Sequence, residues 1–123
     1  MMTRTVKILP VVAALALAAT AAYAHAFLDH AEPAVGRTVT AAPTEVRLWF
    51  TQKLEPKFSK VQVFDGQDKQ VDRGDSHVES TDPAELVASL PPLVPGAYKV
   101  VWRVVSVDTH VTDGRYEFTV ARP

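Results

Sequence analysis

The sequence predicts an all-β domain, a Greek-key sandwich or barrel, and three observations carry that expectation. Short stretches alternate polar and apolar side chains with the two-residue period of a half-buried strand, and turn-forming residues separate them at regular intervals. No stretch of ten or more residues shows the 3.6-residue period and caps of an amphipathic helix. Short strands with regular turns over roughly 100 residues suit a two-sheet domain with one core.

Taken in order, Glu45-Val46-Arg47-Leu48-Trp49-Phe50 and Lys60-Val61-Gln62-Val63-Phe64 alternate cleanly and read as half-buried strands. Asp65-Gly66-Gln67-Asp68 reads as a hairpin turn leading to a short strand near Gln70-Val71, and Asp72-Arg73-Gly74-Asp75 as a further turn. A strand over Glu85 to Leu90 stops at Pro91-Pro92, which supply no ladder donors. The strongest signal runs from Gly96 to Val107, with Tyr98, Val100, Trp102 and Val104 on one face, and a last strand covers Arg115 to Val120. Trp49 and Trp102 are expected in the core.

The first 24 residues differ in kind. Arg4 and Lys7 precede an apolar run from Ile8 to Ala22, and Ala22-Tyr23-Ala24 fits the small-residue rule for signal-peptide cleavage. The run is shorter and more alanine-rich than a membrane span requires. The expectation is therefore a cleaved secretory signal at 1–24 and a mature, periplasmic β domain at 25–123 that begins with His25.

With no cysteine, this domain must be held by its core rather than by disulfides, and thiolate chemistry is excluded. Met1 and Met2 are the only methionines, so the mature part has no thioether either. The chain carries a formal net charge of −1, and the basic residues of its mature part are scattered among acids, which does not suit a nucleic-acid binder.

Four histidines remain: His25, His30, His77 and His110. As a first residue, His25 offers its α-amine and ring Nδ1 to one metal ion in a six-membered chelate. Asp108 and His110 stand two apart, so in an extended segment both side chains point to the same side. Amine, two imidazoles and a carboxylate suit a tetragonal Cu(II) centre and fit Ca²⁺ or Mg²⁺ poorly, and Cu(I) prefers the sulfur that is absent here. His30 is a candidate outer ligand, whereas His77 lies in a polar stretch and reads as solvent-exposed. Two other readings use the same residues: a histidine-brace copper oxidase, in which Asp108 would fill the position that oxygen needs, and a metal-free immunoglobulin-like accessory domain.

The sequence also resembles the periplasmic copper resistance family CopC across residues 25–123. The resemblance rests on His25-Ala26-x-Leu28 with Pro33-Ala34 and Gly36, and on Leu48-x-Phe50 before Leu54-Glu55-Pro56-Lys57-Phe58-Ser59. It rests above all on Gly96-x-Tyr98-x-Val100-x-Trp102-Arg103-Val104-Val105-Ser106-x-Asp108-x-His110, closed by Gly114 and Phe118-Thr119-Val120. It implies a non-enzymatic, seven-stranded Greek-key β-barrel of immunoglobulin-like or cupredoxin-like form, one Cu(II) held by His25, Asp108 and His110, and a CopD-type inner-membrane copper transporter as partner. Gln52 stands where several members have a glutamate close to the metal, and Thr109 where glycine is frequent. The lack of methionine after Met2 resembles the members that bind Cu(II) only.

Overall fold

A computed structural model describes residues 26–123. Two four-stranded sheets face each other across a single core. The first sheet has the order β1 (Leu28–Glu32), β3 (Glu45–Phe50), β6 (Glu85–Ser89), β5 (His77–Val78), all antiparallel. The second has the order β2 (Thr38–Val39), β8 (Val111–Val120), β7 (Gly96–Val105), β4 (Lys60–Phe64), with β2 running parallel to β8. The chain changes sheet at every step from β1 to β5 and again between β6 and β7, the crossing pattern of a Greek-key sandwich. Among the described residues there is no helix long and apolar enough to cross a membrane.

The alternation read from the sequence places the core. Val46, Leu48 and Phe50 of β3 point inward with Val61 and Val63 of β4, against Tyr98, Val100 and Val104 of β7 and Tyr116, Phe118 and Val120 of β8. Trp102 packs at the margin, edge-on to Phe50 at 6.1 Å and tilted to Tyr116 at 6.3 Å. With no cysteine in the chain, side-chain packing carries the stability, at roughly 1.5–3 kcal/mol for each large apolar side chain removed from water. Polar anchors finish the ends: the Tyr116 hydroxyl donates to Pro33 O at 2.9 Å and that of Tyr98 to Val94 O.

Four expectations need correction. Gln70-Val71 is not a strand: Gln70 makes one isolated bridge to Phe64, because the Asp72 side chain takes the Val63 amide at 2.8 Å and ends the pairing. The long strand stops at Val105, where Ser106 turns the chain, and the last strand starts at Val111, earlier than Arg115, since pairing with β7 overrides the turn-like Thr-Asp-Gly. Trp49 is not in the core. It lies on the outer face of the first sheet, half-buried beneath His30, whose ring stacks on it at 4.3 Å and 7°.

Candidate metal centre

The β7–β8 hairpin closes through a five-residue turn, Ser106 to His110, and fully buried Ser106 is its pivot. The Ser106 amide donates to His110 O at 2.9 Å and the Thr109 amide to Ser106 O at 2.8 Å. The Ser106 hydroxyl donates to the Asp108 carboxylate and accepts from the His110 amide at 3.3 Å. One serine thus fixes the backbone at one candidate ligand and the side chain at the other.

The segment carrying Asp108 and His110 is a turn and not the extended piece expected. Thr109 has φ +72°, in the left-handed region that a β-branched residue enters only at a cost. This accounts for the frequent glycine at that position in the family resemblance: glycine adopts this conformation freely. The side chains still meet, with Asp108 Oδ1 at 3.3 Å from His110 Nδ1 and each about half exposed. The Ser106 hydroxyl first, and the His110 ring second, hold the Asp108 carboxyl below its ordinary range, so it is an anion ready to coordinate at neutral pH.

A second segment arrives at the same end of the sandwich. The Phe27 amide donates to Thr51 Oγ1 at 2.9 Å, and the Thr51 amide returns a bond to Phe27 O at 2.9 Å. Ala26 is buried, and its carbonyl accepts from Thr112 Oγ1 at 2.7 Å, two residues beyond His110. The segment 51–54 lies between these pieces, since the Val107 amide donates to Lys53 O at 3.0 Å and Leu54 bridges Ser106. Gln52 therefore sits on the chain between the anchor of the N-terminal segment and the anchor of the turn.

His25 lies outside the described residues, as do the signal segment and its cleavage point. Among the described residues, no group of three His, Asp or Glu side chains is arranged to hold a metal; Asp108 and His110 form a pair. His30 does not join them: its Nδ1 is 2.7 Å from Asp29 Oδ2 and its ring covers Trp49. His77 bonds to Asp75 O at 2.8 Å in β5. Sequence reasoning missed Ser106, Thr51 and Thr112. Serine two residues before an aspartate is a signal for Ser106, a side-chain-capped turn; nothing local marks either threonine.

A family model described as the CopC domain matches residues 28–121. Protein YobA of Escherichia coli strain K12 is 37% identical over 99 residues, covering 80% of each chain. The crystal structure of CopC from Methylosinus trichosporium OB3b superposes with a TM-score of 0.70 at 37% identity, over 79% of this chain and 94% of that one. That of PcoC, a methionine-rich copper resistance protein from Escherichia coli, gives 0.68 at 33% identity, over 78% and 98%.

Proposed function

Because the chain belongs to the CopC family, we propose that it is an exported, periplasmic Cu(II)-binding protein that sequesters copper or delivers it, with no catalytic turnover of its own. One Cu(II) per mature chain is held by the α-amine and ring of His25, exposed by cleavage after Ala24, with the Asp108 carboxylate and the His110 ring. The observation that carries this reading is the bond from Thr112 to the Ala26 carbonyl. Residue 25 is one Cα step, about 3.8 Å, from Ala26, and Thr112 is two residues from His110. Three nitrogens and one oxygen then surround the ion in the donor set that favours tetragonal Cu(II).

Selectivity follows from what is absent. PcoC is described as methionine-rich, whereas this chain has no methionine after Met2 and no cysteine, so it offers Cu(I) no sulfur. Delivery is to a CopD-type inner-membrane transporter, and the half-exposed apolar side chains of Phe27, Val107 and Val111 beside the ligands suit transient docking there.

The test is electron paramagnetic resonance of Cu(II)-loaded protein beginning at His25, compared with protein carrying one additional residue before it. The additional residue converts the amine to an amide and breaks the chelate. A nitrogen-rich one-copper spectrum that changes on extension is the expected result. Identical spectra, or no stoichiometric copper, would sink the reading in favour of a plain β domain.

A further inference from the structure

Thr112 occupies an unusual place for a polar side chain. In β8 it shares the inward-facing parity of Gly114, Tyr116, Phe118 and Val120, and it stands opposite buried Val104 of β7. Its hydroxyl bonds neither strand of its own hairpin in the side-chain contacts seen. It donates instead to the carbonyl of Ala26, 86 positions away in sequence. On its other side the N-terminal segment is held by the reciprocal pair of bonds between Phe27 and Thr51. The two threonines, one in β8 and one immediately after β3, grip consecutive residues, and both belong to the end of the sandwich that carries Asp108 and His110.

A chelating chain terminus is a poor ligand unless something else orders it, because fixing each free residue costs conformational entropy that binding must then supply. Ordering Ala26 in advance lowers that cost. We propose that Thr112 is a positioning residue for copper: through the Ala26 carbonyl it sets the direction in which the terminal histidine leaves the sandwich, aiming amine and ring at the Asp108–His110 turn. This rests on the Cu(II) reading above. Thr51 is the complementary hold, fixing Phe27 so that Ala26 has one path past Thr112.

The test uses protein beginning at His25, Cu(II) titrated against a competing chelator, and three variants. Thr112→Val keeps the β-branched shape that suits a strand but removes the donor; Thr112→Ser keeps the donor; Thr112→Ala guards against a packing effect of the added methyl. Losing one neutral hydrogen bond corresponds to about two- to tenfold in a binding constant. The expected result is a Cu(II) affinity about two- to tenfold weaker in Thr112→Val and Thr112→Ala, restored in Thr112→Ser, with a second, nitrogen-poorer resonance component in the first two.

Each variant is also made with one residue added before His25. There the chelate is already broken, so Thr112→Val has nothing left to position and changes the affinity no further. Equal affinity and spectrum in Thr112→Val and the parent would overturn the proposal. So would an equal loss in the His25-initiated and extended forms, which would mean that Thr112 only supports the fold. If the parent and its extended form bind Cu(II) identically, the Cu(II) reading itself fails, and the positioning role with it.

Discussion

Gly114→Ala tests the packing described at the margin of the core. Gly114 faces Trp102 across the β7–β8 hairpin, and its backbone lies outside the positive-φ region, so space and not conformation demands glycine there. A Cβ at this position would stand 2.5 Å from Trp102 Cζ2 and 3.0 Å from Cε2 and Cη2. Ordinary contact begins near 3.4 Å, so the indole must retreat by about 1 Å, in a margin where Phe50 and Tyr116 already fix it on two sides. Overpacking of this kind costs about 1–3 kcal/mol, against about 0.5–1 kcal/mol that alanine recovers by restricting the unfolded chain. The net expectation is a loss of about 1–2 kcal/mol, or roughly 4–15 °C in melting temperature for a domain of this size. Thermal unfolding followed by circular dichroism reads it directly. The same substitution in a Trp102→Val background should be neutral or slightly stabilising, because the obstructing ring is gone. A melting temperature unchanged within about 2 °C, or an equal loss in both backgrounds, would refute the steric argument.

Two further outcomes concern protons. Copper affinity should rise with pH, because an amine and imidazoles bind a metal ion only after losing their protons; competition titrations that stay flat from about pH 5 to 8 would remove the amine and imidazoles from the site. Away from the candidate site, hydrogen bonds from the Ser89 side chain and then its backbone amide hold the Asp75 carboxyl below its ordinary range. A carboxyl with a lower pKa folded than unfolded stabilises the fold above the unfolded value, about 3.9, and loses that contribution as pH falls through the folded value. Asp75→Asn should therefore be less stable than the parent at pH 6 and match it in strong acid; thermal melts with a pH-independent gap would contradict this.

What the sequence made legible, and what it hid, divides along a physical line. The two-residue period stands out in β3, β4 and β7 because each has one face in the core. In β1 the period is broken by an irregularity between Leu28 and His30, which leaves Leu28 and Ala31 facing the core three residues apart. β2 and β5 have two residues each, too few for any period, and exist because neighbouring strands offer them open hydrogen-bonding edges. Trp49 misled for another reason: a large aromatic on an outer face can be covered by a single stacked ring, here His30, without entering the core.

The candidate site shows the same division more sharply. Asp108 and His110 were visible because their chemistry is unusual, yet the expected cause of their meeting was wrong. An extended segment would bring them to one side by parity alone. The actual turn brings them together because Ser106 bonds the carboxylate of one and the backbone of the other, while Thr109 accepts a left-handed φ. Residue types therefore singled out the candidate ligands, whereas the fold supplied their arrangement. The approach of the N-terminal segment goes further, since it depends on Thr51 just after β3 and Thr112 near the start of β8, residues 61 positions apart that no local pattern connects. A candidate site assembled in this way is coupled to the integrity of both sheets. A perturbation at the Trp102 margin, which borders Phe50 next to Thr51 and Gly114 two residues from Thr112, should be felt at Asp108 and His110 even though it touches neither of them.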